Sequence, residues 1–139
     1  DVQFRGGRGQ RAACLYNGGA ITLRRVGITR CTDSPPSGLG GGFSNSGTAI
    51  LESVTITRGQ ARLGCGGGIY NTGTITATNL FVMRNRARLG FGGGLCNSLG
   101  TFECTNCLFA RNQSNQLTGG IRNDGVVRLW NTVIADNFV

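Results

Sequence analysis

An apolar residue followed two positions later by asparagine occurs five times, at Leu15 and Asn17, Phe43 and Asn45, Ile69 and Asn71, Leu95 and Asn97, and Ile121 and Asn123. The asparagines are 28, 26, 26 and 26 residues apart, and a glycine follows each by two (Gly19, Gly47, Gly73, Gly125). In the fourth copy one inserted residue moves that glycine to Gly100. A fixed period in this range marks stacked supersecondary units that cannot bury their apolar faces alone. It predicts one domain with coils near 13–40, 41–66, 67–92, 93–118 and 119–139, after a partial first coil over 1–12.

The repeated unit is identified by its alternation, since strands have period 2 and helices 3.6. After each Asn-x-Gly, apolar residues alternate: Ile21 and Leu23, Ala49 and Leu51, Ile75 and Ala77, Phe102 and Cys104, Val127 and Leu129. A second run follows, with Val26 and Ile28, Val54 and Ile56, Leu80 and Val82, Cys107 and Phe109, then Thr132 and Ile134. No window carries a helical stripe, and 25 glycines would penalise one. The expected fold is therefore all-β. Each strand pairs in parallel with its counterpart one coil away, and the columns stack at about 4.8 Å. Ile21, Ala49, Ile75, Phe102 and Val127 form one inward column, and Leu15, Phe43, Ile69, Leu95 and Ile121 another. Asn17, Asn45, Asn71, Asn97 and Asn123 are expected to form a structural corner ladder of side-chain amides, with the flanking glycines supplying left-handed turn conformations.

The segments "GGGIYNTGTITATNLFV", "GGFSNSGTAILESVTIT" and "GGLCNSLGTFECTNCLF" resemble the repeats of bacterial right-handed parallel β-helix proteins, including passenger regions of autotransporter-like and polymorphic outer-membrane proteins. The resemblance runs from about Ala12 to Val139. It implies a right-handed β-solenoid, and handedness rests on it alone. For function it is unspecific, because such proteins include adhesins, surface structural proteins, and lyases and hydrolases of acidic polysaccharides.

The net charge is +8, and every basic residue is arginine. Such a surface points to polyanion partners, acidic glycans or an anionic cell envelope, or serves only to keep the chain soluble; no specific nucleic-acid signal is present. No run of about 20 apolar residues that could form a transmembrane helix occurs. The chain begins at Asp1 without methionine, as expected of a processed or excised product. Six cysteines in a small basic chain favour an oxidising, extracellular setting. Cys104 and Cys107, in "CTNC", fall in apolar columns. A local disulfide or a pair of buried thiols suits them better than a redox pair or half a metal site. Cys14, Cys31, Cys65 and Cys96 are placed at corners or edges, their pairing open.

Catalysis would need a constellation that the columns do not supply. The outward positions of the first alternating strand are Thr22, Ile50, Thr76, Glu103 and Arg128, with one carboxylate. The six acids (Asp1, Asp33, Glu52, Glu103, Asp124, Asp136) are scattered in phase, and there is no histidine to serve a nucleophile. No enzyme activity, metal or cofactor is expected. Thr74, Thr76 and Thr78 invite a flat threonine ladder of the ice-binding kind, but Ile50 and Glu103 interrupt the column at Thr76.

Two features remain. Arg30, Arg58, Arg84 and Arg111 end the second alternating run in successive copies, with Arg62 and Arg88 in phase in "ARLG". Stacked guanidinium groups repel unless an anion or solvent compensates, so they mark either an anion site or a solvated edge. The second feature is the ends. "VQFR" reads as a second-run strand closed by Arg5, like "TITR", and "VIADNFV" is also second-run, with Asp136 in the arginine column. Matching phase at both ends predicts head-to-tail association, with Asp136 near Arg5 of the next copy. The primary expectation is a non-enzymatic extracellular solenoid that assembles with itself into a filament or surface layer. The alternative is an adhesion module for acidic polysaccharide or another polyanion, and a third, less favoured reading is a polysaccharide lyase or hydrolase.

Overall fold

The computed structural model describes residues 2–9, 12, 14–33 and 39–139. Among them there is no helix, and short parallel strands coil about five times into a β-solenoid. Each full coil has four strands: the apolar-x-Asn segment, the two alternating runs and a further two-residue strand. The first face stacks Leu15–Asn17, Phe43–Asn45, Ile69–Asn71, Leu95–Asn97 and Ile121–Asn123. The second stacks Ala20–Arg24, Thr48–Glu52, Thr74–Thr78, Thr101–Thr105 and Val126–Trp130. The third has six strands: Val2–Arg5, Val26–Thr29, Thr55–Thr57, Phe81–Met83, Leu108–Ala110 and Val133–Ala135. The fourth is made of two-residue strands, Arg8–Gly9, Thr32–Asp33, Gln60–Ala61, Arg86–Ala87 and Gln113–Ser114.

The predicted columns pair residue on residue. Ile21 lies beside Ala49, Ala49 beside Ile75, Ile75 beside Phe102 and Phe102 beside Val127. Alternation sends these residues inward, and Phe43, Ala49, Leu51, Ile69, Ile75, Leu95, Phe102 and Phe109 are fully buried. Phe102 meets Phe109 edge-on, at 6.0 Å and 69°, the arrangement that aromatic quadrupoles favour. Each of the larger side chains among these contributes roughly 1.5–3 kcal/mol through burial. In the last coil Ile134 is 52% exposed although it continues the buried column of Ile28, Ile56, Val82 and Phe109, because no coil covers it.

The asparagine ladder is continuous. Each Nδ2 donates to the next Oδ1, at 2.8 Å from Asn17 to Asn45, 2.9 Å to Asn71, 2.8 Å to Asn97 and 2.8 Å to Asn123. The backbone reason foreseen for it is corrected. Neither the ladder asparagines nor Gly19, Gly47, Gly73 and Gly125 have positive φ. Gly47, Gly73 and Gly125 are required by close approach, since a Cβ on Gly73 would collide with the Gly47 carbonyl of the coil beside it, whereas a Cβ on Gly19 would meet open space.

Glycine does supply left-handed backbone on the way into the first face, at Gly40, Gly66 and Gly92, and such backbone is found at other corners too. Between the second and third faces it falls on Arg25, Ser53, Asn79, Asn106 and Asn131, and between the third and fourth on Gly6, Arg30, Arg58, Arg84, Arg111 and Asp136. The first strand is therefore one residue out of the expected alignment. Val2 pairs with Val26 and Arg5 with Thr29, so Gly6, not Arg5, begins the arginine column.

All six cysteines are bridged, as Cys14–Cys31, Cys65–Cys96 and Cys104–Cys107, which fits an oxidising compartment. Cys31 and Cys96 are buried, Cys31 at the corner after Arg30 and Cys96 within a first-face strand. The bridges exploit slots that recur along the solenoid. In the third coil a Cβ on Gly68 would touch the Asn85 amide, and in the fourth one on Gly94 would touch that of Asn112. Cys14 and Cys31 occupy the equivalent slot in the first coil. Cys65 crosses to Cys96 one coil on; Phe91, with the same separation, lies 4.2 Å beneath the Arg122 guanidinium.

Candidate functional site: an arginine groove

The corner between the third and fourth faces is shaped by one backbone event per coil. The chain leaves each third-face strand through a residue with φ between 55° and 57° at Arg30, Arg58, Arg84 and Arg111. The next residue turns inward, and in the last three coils it is asparagine. This second internal ladder was not foreseen. Asn85 Nδ2 donates to Asn112 Oδ1 at 3.0 Å, and Asn112 Nδ2 to Asn137 Oδ1 at 2.9 Å. Asn85 Oδ1 accepts from Gly59 N at 2.8 Å, locking the corner from inside. The sequence signal was the Arg-Asn pair at 84–85 and 111–112, masked by Cys31 and Gly59 in earlier copies.

Because the corner is fixed, its outward side chains line a groove parallel to the stack. One wall is the arginine row, Arg30, Arg58, Arg84 and Arg111; the other is the outward row of the fourth face, Thr32, Gln60, Arg86 and Gln113, with Phe138 at one end. Strand stacking spaces successive arginines by about 4.8 Å. Among the described residues, Arg30, Arg58 and Arg84 have no carboxylate within ion-pair distance, and Arg111 is 3.9 Å from Asp136. Three other acids are held elsewhere: Glu52 by Arg24, Asp124 by Arg122 and Glu103 by Arg128, each at 2.8 Å. These three carboxylates are thus tied up on other faces, and positive charge accumulates along the groove. Arg86 donates through Nη2 to Asn115 Oδ1 at 3.1 Å, and its buried Nε has no partner among the described residues.

The remaining sequence candidates are not part of this groove. Arg62 and Arg88 line a neighbouring depression with Leu63 and Leu89, and Arg86 is shared between the two. Arg5 is exposed on the third face beside Thr29. Thr76 is flanked by Ile50 and Glu103, so the threonine column is broken as expected. Asp33 is buried in the fourth face; burial pushes its carboxyl up, against a 2.7 Å hydrogen bond from Arg62 N and the charge of Arg62.

The conformation of the row carries a chemical implication. Asparagine, which tolerates left-handed backbone, fills the other corner at Asn79, Asn106 and Asn131, whereas this corner repeats arginine, which tolerates it poorly. Backbone strain that also aligns unpaired charges is characteristic of binding sites. Such a row can hold a chain of negative charges spaced at about the strand repeat, with glutamine and threonine available to neutral polar groups between them. No protein-family model, curated protein or solved structure matches the chain.

Proposed function

We propose that this chain is a non-enzymatic, extracellular binding solenoid that holds a linear polyanion, in the first instance an acidic polysaccharide, along the arginine groove. The observation that carries the reading is the row of strained arginines, of which Arg30, Arg58 and Arg84 have no carboxylate partner among the described residues and Arg111 only the 3.9 Å contact with Asp136. A uronic-acid polymer, with one carboxylate per sugar, supplies regularly repeated charge, and its hydroxyls suit Thr32, Gln60 and Gln113 in the facing wall. The pairing of Glu52, Glu103, Asp124 and Asp136 with arginines favours binding over acid–base catalysis. The three disulfides and the resemblance to surface-exposed β-helix repeats support an extracellular location. The test is retention on an immobilised acidic glycan across a salt series, with and without joint replacement of Arg58, Arg84 and Arg111. Undiminished retention of the triple variant would remove the groove from the account.

Head-to-tail self-association is the second reading. Favouring it, among the described residues Asn17 Oδ1 accepts from Gly19 N alone and Asn123 Nδ2 donates to Gly125 O alone, which leaves acceptor capacity at one end of the ladder and donor capacity at the other. Negative-stain microscopy over a concentration series decides, with unbranched filaments supporting assembly and discrete particles excluding it.

A further inference from the structure

The outer surface of the third face changes character along the stack. In the first two full coils it presents Gly27, Thr29, Thr55 and Thr57; in the last three it presents Phe81, Met83, Leu108, Ala110, Val133 and Ala135. Phe81 is 41% and Val133 56% exposed, and the other four are half-buried. An uninterrupted apolar plate on a regular sheet marks an interaction surface. Two corner rows border it: Asn79, Asn106 and Asn131 on one side, and Arg84, Arg111 and Asp136 on the other.

We propose that this plate binds a second copy of the chain, face to face, about a two-fold axis parallel to the solenoid. The argument is self-complementarity, which an interface between identical surfaces requires. Within the plate one row is large (Phe81, Leu108, Val133) and the other, in its upper two levels, is small (Ala110, Ala135). The stated rotation keeps each coil level and reverses the rows. Leu108 then faces the partner's Ala110, Val133 the partner's Ala135, and Phe81 the partner's Met83. The same rotation sets the Arg84 and Arg111 row over the partner's asparagine row, whose amide oxygens accept hydrogen bonds from guanidinium. Rotation about the strand direction instead sets large on large and arginine on arginine. In the first full coil the favoured arrangement brings Arg30 toward the partner's Arg25, so the contact is centred on the last three coils. The surfaces pack at the ordinary sheet-to-sheet distance of about 10 Å.

The test is made without any polyanion. Sedimentation of the unmodified chain is expected to give a dimer, and Leu108→Arg to weaken it by more than about 100-fold by burying a charge against an apolar partner. Since that variant could misfold, milder ones decide the geometry: facing residues of sheets about 10 Å apart are too distant for a direct disulfide, so Leu108→Cys mixed with Ala110→Cys should be joined by a short bifunctional thiol reagent well beyond either alone. A monomer at every concentration, or a dimer in which each single variant cross-links with itself and the mixture gains nothing, overturns the proposal.

Discussion

Replacing Arg58, Arg84 and Arg111 together with asparagine separates a binding role from a structural one, because the two predict opposite changes in stability. Each arginine has φ near 56°. Left-handed backbone costs an L-residue roughly 1–2 kcal/mol, and asparagine recovers part of this by local hydrogen bonding. Taking that recovery as about 0.5 kcal/mol per site, the triple variant gains about 1.5 kcal/mol. Relieved repulsion adds to this: at one strand spacing, neighbouring unit charges repel by about 0.9 kcal/mol in water, less as the side chains fan out and salt screens them. The ion pair of Arg111 with Asp136 is 3.9 Å long and its side chains are 60% and 70% exposed, so its loss costs little. Urea unfolding should therefore show a variant more stable by about 1–2 kcal/mol. Three lost contacts of about 1 kcal/mol each should weaken polyuronate binding on the order of 100-fold. Replacing Arg24, Arg122 and Arg128 removes the same charge from other places and should weaken it far less. A less stable triple variant with unchanged affinity would refute the reasoning and make the row structural.

Three further outcomes follow from buried groups. Asp33 has a raised carboxyl pKa, so its ionisation opposes folding; the cost is absent below the ordinary 3.8 and grows as pH rises through the raised folded value. Asp33→Asn, which keeps an acceptor for Arg62 N, should stabilise the chain at neutral pH, with the difference vanishing in acid when thermal unfolding is followed against pH. Asn71→Ala removes the bond to Asn97, two bonds to backbone carbonyls and the acceptor for Asn45. It should cost about 2–4 kcal/mol in urea unfolding, since the partners stay buried. Gly73→Ala forces a Cβ into the Gly47 carbonyl, and its melting temperature should fall further than that of Thr74→Ala on the exposed surface beside it.

The period and the inward columns were legible because a solenoid uses one geometry repeatedly: five copies of apolar-x-Asn set the register, and an error in one copy is corrected by the rest. The inserted residue of the fourth copy shows how local such an error remains. Leu99 bulges out at φ 63° and 85% exposure while Thr101 still pairs with Thr74. Features set by less repetition were harder to read. The first strand has a described neighbour on one side only, and VQFR was aligned one residue out because Arg5 resembles the corner arginine while Gly6 occupies that corner. The second asparagine ladder was hidden because only Asn85, Asn112 and Asn137 carry it. The disulfides could not be paired because Cys14 replaces a glycine and Cys31 an asparagine, a substitution visible only once the slot between them is known. The arginine column was visible as a column, but the left-handed backbone that makes it informative, and Arg86 in the facing wall, came from the coil geometry.

The most direct test of the groove is to titrate the folded chain with a polyuronate oligomer while following the side-chain Nε–Hε resonances of its arginines by NMR. The account predicts saturable shifts at Arg58, Arg84, Arg86 and Arg111 that weaken as salt is raised, with Arg24, Arg122 and Arg128 nearly still. Equal small shifts at all arginines, or none at low salt, would contradict it.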